Sequence, residues 1–306
     1  MRRVLFEVPF HYIGLPDLPL YAYGFLLMLG FLAGVGLAKR LARREGLPTT
    51  VVYDIAVIAV VAGIVGARLM WVFRFAPPGL ELVDTLAVWQ GGLVFYGGLL
   101  GALVCCTYYV WRRGLPVARV ADSFAPAAML GLAFGRVGCF LNGCCYGAVC
   151  GTADWICVRF PPGSSASLHH FGEPAGRHME SVPVYPAQLF ASGSALLICG
   201  VLLLLYAHRR FPGQVTLAML MLYALGRFLL EFVRDDTPLQ PYLPGLPLLR
   251  EGQMMALVTF VIAGILMAVF WYRAGNGKKA PASEDDTTGA SETTTDEQVK
   301  VEGTGE

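Results

Sequence analysis

The sequence predicts an all-α membrane protein with seven transmembrane helices, an outer N-terminus, a cytoplasmic C-terminus and a small outer lobe. Three observations predict it. The 306-residue chain is 56% hydrophobic and 15% charged, with mean hydropathy +0.57, whereas a soluble domain is about 45–50% apolar and about 25% charged. Seven apolar runs approach the roughly 20 residues that a span needs. Basic residues cluster in alternate connections between those runs, which fixes orientation by the positive-inside rule.

The first run, 19–38, opens near Tyr23 and ends in Lys39, Arg40, Arg43 and Arg44. The second, 51–73, carries Arg68 near its end, in GIVGARLMWVF. The third, 93–111, begins inside WQGGLVFYGGLLGAL (89–103), where glycines including Gly97 and Gly98 flank Tyr96; Arg112, Arg113 and Arg119 follow it. The fourth, 120–141, is the weakest candidate, rich in Ala and Gly and interrupted by Asp122, Pro126 and Arg136. It runs into GRVGCFLNGCCYG (135–147) and then a long polar connection, 142–186, whose PPGSS and GEPAGRH stretches are turn-rich and predict the outer lobe. The fifth run, 187–207, starts at Gln188 and is followed by Arg209 and Arg210. The sixth, 215–234, holds Arg227, Glu231 and Arg234 at i, i+4 and i+7, on one predicted helix face with Tyr223. The seventh, 253–272, starts at Gln253 and precedes Arg273, Lys278 and Lys279. From Ala274 onward, eight acids, three lysines and no aromatic residue predict a disordered cytoplasmic tail over 274–306. The membrane domain is thus expected over 1–273, with further outer segments at 74–92 and 235–252.

With direction assigned, polar residues from all seven spans converge on one level, in the outer-leaflet half. An arginine near mid-membrane costs at least ~2.5–3.5 kcal/mol, so Arg68, Arg136 and Arg227 ask for a reason. Each has a plain alternative. Arg68 can snorkel to the headgroups, Arg227 and Glu231 can form a structural pair, and Tyr96 can be an interfacial aromatic beside helix-packing glycines. Arg136 is hardest to explain structurally, because Gly135, Gly138, Gly143 and Gly147 surround it and leave backbone open to close approach. Three arginines against one glutamate make a positive pocket, and at that depth the abundant anion is a phospholipid phosphate, which the guanidinium fork suits. No internal repeat supports an inverted-repeat transporter. Polar groups at one depth, rather than along a path, argue against a channel.

Eight cysteines divide in two. Cys105, Cys106 and Cys199 lie mid-span and read as small apolar fillers. Cys139, Cys144, Cys145, Cys150 and Cys157 run C-x4-CC-x4-C-x6-C across the outer end of the fourth span. Disulfides, thiol packing, a redox site and a metal all remain open for them, although the spacing matches no usual four-ligand zinc pattern. A membrane thiol oxidoreductase built on Cys139, Cys144 and Cys145 is therefore one functional reading, and a non-catalytic phospholipid-binding protein is another.

Together these residues resemble the prolipoprotein diacylglyceryl transferase family over nearly the whole chain to about Tyr272. The resemblance rests on YGF at Tyr23, GAR at Arg68, WQGGLVFYGGLLG, GRVGCFLNGCCYG, YPAQL at 185–189, GRFLLEFVR at 226–234 and EGQ at 251–253. The family signature reads approximately G-R-x-G-N-F-x-N-x-E-x-x-G, and Gly135, Arg136, Gly138, Phe140, Asn142 and Gly147 match it. Cys139 and Cys144 replace its Asn and Glu. Tyr96 and Tyr185 stand where the family has histidines, and Ala191 where it has a glutamate. The resemblance implies a seven-span enzyme of the bacterial inner membrane. It moves a diacylglyceryl group from phosphatidylglycerol to the lipobox cysteine of a prolipoprotein signal peptide. It implies functional positions at Tyr23, Arg136, Asn142, Gly147, Arg227 and Glu231. Joined to the depth reading, it gives Tyr96, Arg136, Arg227 and Glu231 as expected catalytic residues, and Tyr23, Arg68, Gly97, Gly98, Asn142, Gly147, Gln188 and Gln253 as expected substrate contacts. A phenol, with an ordinary pKa of ~10, is a poor base, so three readings stay open for Tyr96: the arginine field activates it, it only positions the lipid, or the chemistry has changed. No cofactor, metal or nucleic acid is expected.

Overall fold

Among the described residues, seven long helices form where the apolar runs lie. The computed structural model describes residues 4–8, 18–75, 88, 91–151, 155–234 and 250–276. The acidic tail beyond 276 and most of the segments expected at 74–92 and 235–252 lie outside the described residues. Two short antiparallel strands, β1 (Val4–Val8) and β2 (Leu18–Tyr21), lead into the bundle and add a small β element to the expected all-α fold. The long helices are α1 (Ala22–Arg44), α2 (Thr49–Phe75), α3 (Phe95–Arg112), α4 (Val117–Asn142), α6 (Ala187–His208), α7 (Gln214–Leu230) and α8 (Glu251–Asn276). A short helix, α5 (Ser165–Phe171), lies in the connection between α4 and α6.

The turns at the basic end of the bundle follow from a repeated Gly-Leu-Pro. In α1–α2, Gly46 takes φ +69°, and Leu47 N–H donates back to Ala42 at 3.0 Å. In α3–α4, Gly114 takes φ +66°, and Leu115 N–H donates to Val110 at 3.1 Å. These are Schellman closures: glycine accepts the left-handed residue, leucine covers the last turn, and proline starts the next helix.

The helix with the least apolar sequence sits at the centre. α4 packs against α1 and α6 and also touches α3 and α7, so its small residues and Pro126 face protein rather than lipid. Asp122, fully buried, accepts from the N–H groups of Gly213 at 2.8 Å and Thr216 at 2.9 Å. It thereby caps the start of α7 from a neighbouring helix, which explains a carboxylate in a weak span. Nearby, Arg209 pairs with Glu45 and lies 3.7 Å from Asp122.

α2 and α3 meet through glycines. A Cβ on Gly97 would overlap the carbonyl oxygen of Gly66, one on Gly101 would lie 2.6 Å from that of Ala62, and one on Gly98 would lie 3.0 Å from that of Gly63. Small residues here let two backbones touch, the usual helix contact where lipid supplies no hydrophobic drive.

The connection between α4 and α6 builds its own core from Tyr146, Phe160, Ala166 and Val184. Ser164 caps α5 by accepting from Ser167 N–H at 3.1 Å, and Cys150 is joined to Cys157. Outside the bundle, Leu103, Leu197, Leu204 and Phe232 are exposed, as are many other large apolar side chains. Such a surface would aggregate in water and is solvated by lipid. Among the described residues, five helices are long and apolar enough to cross a membrane, and α7 is a shorter apolar helix. The protein is a helical membrane protein.

The sixth run differs from expectation. α7 ends at Leu230 with Glu231 as its C-cap, so Arg234 does not continue the helix face of Arg227. The chain turns because Arg250 donates to the carbonyls of Glu231 and Arg234, while Ala148 N–H takes that of Val233 at 2.7 Å. Helix-terminal carbonyls that would otherwise stay unpaired are satisfied in this way.

Candidate active site

A narrow cavity lies where α4, α6 and α7 meet, at the end opposite the Gly-Leu-Pro turns. Arg136 enters it from α4, Gln188 from α6, Tyr223 and Arg227 from α7, and Cys145 and Arg234 from the turns beyond α4 and α7. Its volume is about 20 Å³, room for about one water. A phosphate therefore enters only as side chains part. A larger cavity of about 360 Å³ between α2, α3 and α4 is lined by apolar groups such as Leu99, Leu103 and Phe124 and holds no charged residue.

The charges are arranged unequally. Arg227 pairs with Glu231, which is 1% exposed. Arg136, half-buried, makes no hydrogen bond or ion pair among the described residues. A half-buried cation in a narrow cavity without an anion of its own among the described residues is costly unless a ligand supplies one. Gln188 is 1% exposed. Its amide nitrogen donates to the Cys144 carbonyl at 2.8 Å, and its amide oxygen has no partner among the described residues. The cavity thus offers three guanidinium groups, those of Arg136, Arg227 and Arg234, and one free acceptor, a set suited to a phosphate ester that also carries hydroxyl groups.

The turn after α4 fixes this geometry. Gly143 takes φ +73° and ends the helix, and Cys145 takes φ +58°, a left-handed conformation that residues with a Cβ avoid. The sulfurs of Cys139, Cys144 and Cys145 lie within 4.8 Å of one another. Asn142 directs its amide nitrogen at the Cys144 sulfur, 3.6 Å away. Hydrogen bonds from the Cys139 and Cys145 thiols, with help from the Asn142 amide, hold the Cys144 thiol below the ordinary cysteine range. Tyr23 packs its ring on Gly138, where a Cβ would lie 3.1 Å from the ring.

The remaining expected residues fall elsewhere. Arg68 is buried, donates to the carbonyls of Gly91 at 2.6 Å and Gly92 at 3.2 Å, and stacks on Trp71. It does not line the cavity, and the third arginine there is Arg234. Gly97 and Gly98 form the α2–α3 contact. Tyr96 is 61% exposed at the start of α3, away from the cavity lining. Gly147 holds a junction: a Cβ would lie 2.7 Å from the Val233 oxygen and 2.8 Å from that of Tyr185. Gln253 accepts from Arg250 N–H at 3.0 Å, capping α8. Two contributors escaped sequence reasoning. Arg250 fastens the end of α7 to the start of α8. Gly252 lets α8 begin against the ion pair, since its Cβ would lie 2.9 Å from Glu231 Oε2 and 3.0 Å from Arg227 Nη2. Their only signal was the basic residue and glycine opening the last span.

Comparison with known proteins places the sequence in a family. The family model described as prolipoprotein diacylglyceryl transferase matches residues 11–270. A phosphatidylglycerol–prolipoprotein diacylglyceryl transferase of Rhodopirellula baltica is 33% identical over 76% of this chain, which spans about half (48%) of that longer protein. Proteins of the same name from Symbiobacterium thermophilum and Clostridium tetani are 32% and 26% identical, over 87% and 86% of this chain and 92% and 95% of their own length. With the arginine-bearing signature, the helical membrane fold and the match over most of its length, the chain belongs to the prolipoprotein diacylglyceryl transferase family.

Proposed function

We propose that the protein transfers a diacylglyceryl group from phosphatidylglycerol to the lipobox cysteine thiol of prolipoproteins. The observation that carries this reading is Arg136, a half-buried cation without an anion among the described residues, in one narrow cavity with Arg227, which pairs with Glu231. Arg136 and Arg227 hold the lipid phosphate, and Glu231 keeps Arg227 aimed. Gln188, Asn142 and Tyr23 shape the headgroup site, while Gly147, Gln253, Arg68, Gly97 and Gly98 hold the helices that frame it. The substrate thiolate attacks the glyceryl carbon attached to phosphate. A C–S bond forms, the C–O bond to phosphate breaks, glycerol phosphate leaves with the electron pair, and the thiol proton passes to solvent. Charge that develops on the leaving phosphate is met by arginines already in position, the largest kind of electrostatic contribution to such a step. Tyr96, exposed at the start of α3, positions lipid in this reading instead of taking the proton.

All seven long helices cross the bacterial inner membrane in this proposal, with the cavity in the outer leaflet. Four basic clusters, at Arg40–Arg44, Arg112–Arg119, Arg209–Arg210 and Arg273–Lys279, support that orientation. The 142–186 segment then forms an outer lobe and 274–306 an acidic cytoplasmic tail. Complementation of a strain depleted of its own transferase tests the function, read as a diacylglyceryl mass on a reporter lipoprotein. Good membrane expression without that mass increment would refute it.

A further inference from the structure

Three thiols converge at the edge of the arginine cavity, and no step of the transfer uses them. Cys139 lies on the last turn of α4, and Cys144 and Cys145 follow its C-cap; all three sulfurs fall within 4.8 Å of one another. Ligands about 2.3 Å from one ion in a trigonal plane stand about 4.0 Å apart. Small rotations of the side chains close that gap.

The surroundings are built around the sulfurs. The Asn142 amide points at Cys144 Sγ from 3.6 Å, the kind of outer-shell donor that orients a thiolate. Gln188 ties the Cys144 carbonyl to α6 at 2.8 Å. Cys145 is the one non-glycine residue with a left-handed backbone among the described residues, at φ +58°, and unfavourable conformations of this kind persist where the surroundings over-determine them.

Pairing by oxidation accounts for the trio poorly. Adjacent Cys144 and Cys145 have Cα atoms about 3.8 Å apart, short of the roughly 4.4–6.8 Å an ordinary disulfide spans. Any other pair leaves the third thiol beside it unexplained. Within the same segment, Cys150 and Cys157 already pair with each other.

We propose that Cys139, Cys144 and Cys145 form a three-coordinate site for a soft monovalent cation, Cu(I). Thiolates select soft ions. A structural zinc site would want four protein ligands, and the cluster of potential ligand groups found among the described residues stops at three sulfurs; a parallel zinc titration tests a three-sulfur zinc site. Binding is coordination without electron transfer: three S–H bonds release three protons to solvent, three Cu–S bonds form, and copper stays at +1. The resulting charge of −2 sits beside Arg136 and Arg234, which line the cavity together with Cys145.

The test uses the full chain, purified in detergent and reduced without oxygen. Cu(I) is titrated against a chromophoric Cu(I) chelator, with a parallel Zn(II) titration. We expect one Cu(I) per chain, unchanged in C105S/C106S/C199S and lost in C139S/C144S/C145S. Cys145→Ser alone should weaken binding at least tenfold with unchanged helical circular dichroism, so the answer survives if the triple variant does not fold. One equivalent of Cu(I) retained by the trio variant would overturn the proposal. So would Zn(II) binding at the same stoichiometry and displacing Cu(I). A Cys139–Cys144 disulfide recovered quantitatively by peptide mass spectrometry from unreduced protein would overturn it in favour of a redox pair. The copper titration is independent of transferase activity.

Discussion

Arg136→Ala and Arg227→Ala remove the same side chain type from the same cavity, yet they should behave differently. Arg136 has no hydrogen-bond or ion-pair partner among the described residues, so its removal leaves no buried charge behind there. Arg227 neutralises Glu231, which is 1% exposed. Breaking a buried ion pair by removing one member costs about 3–5 kcal/mol. In a domain of this size about 1 kcal/mol moves the melting temperature by ~2–4 °C, so Arg227→Ala should lower it by at least ~6 °C. Arg136→Ala should leave it within ~2 °C, since no buried partner is lost. Activity should fall in both. A charged hydrogen bond is worth ~1.5–3 kcal/mol, so losing a two-pronged phosphate contact at Arg136 removes ~3 kcal/mol or more, a drop of over 100-fold in transfer rate. The assay is diacylglyceryl addition to a lipobox peptide by mass spectrometry, beside thermal unfolding in detergent. Arg136→Ala with near-normal transfer would refute the anion-site reasoning, and Arg136→Ala that melts like Arg227→Ala would refute the claim that this cation lacks a structural partner.

Gly252→Ala pushes a methyl group toward the flexible tips of Arg227 and Glu231; transfer should fall at least ~10-fold with a small change in melting, because overpacking against mobile tips costs only ~1 kcal/mol. Gly147→Ala meets backbone oxygens at 2.7 and 2.8 Å instead, so unfolding should come ~2–3 kcal/mol earlier, seen as lower melting and faster proteolysis between α4 and α6. Cys150→Ser with Cys157→Ser opens a loop with a sequence separation of 7, and should cost about 2.5 kcal/mol by chain entropy, measured as a melting shift that a reductant reproduces in the parent protein. Arg68→Lys keeps the charge but loses the fork that reaches both Gly91 and Gly92; lipid transfer should change less than 3-fold if this residue only fastens the loop, as the limited effect of a non-contacting site predicts.

Much of the bundle was legible because hydropathy records lipid contact. Each long helix lies within a few residues of an apolar run, and the Gly-Leu-Pro turns follow from backbone chemistry. The polarity of α4 was the informative exception: a helix surrounded by helices needs small residues, and Asp122 is there to cap α7. Arg136, Arg227 and Glu231 stood out because a charge inside an apolar run demands a partner. What that partner is cannot be read from spacing. Arg68 offered either a snorkelling reading or a place in the pocket, and its guanidinium instead fastens the 91–92 carbonyls. Gln253 looked like a contact to substrate and serves as a helix cap.

The sequence by itself determined the class of the protein, where its long helices lie and the surplus of arginine near one end. Those properties are local, set by hydropathy, propensity and charge within one segment at a time. Tertiary structure decided which of these groups meet. It set Arg234 rather than Arg68 beside Arg136 and Arg227, joined Cys150 to Cys157, drew Cys139, Cys144 and Cys145 together, and made Gly252 the floor beneath the ion pair. Each of these depends on how one helix crosses another, and a distance between segments far apart in sequence is fixed only when their packing is.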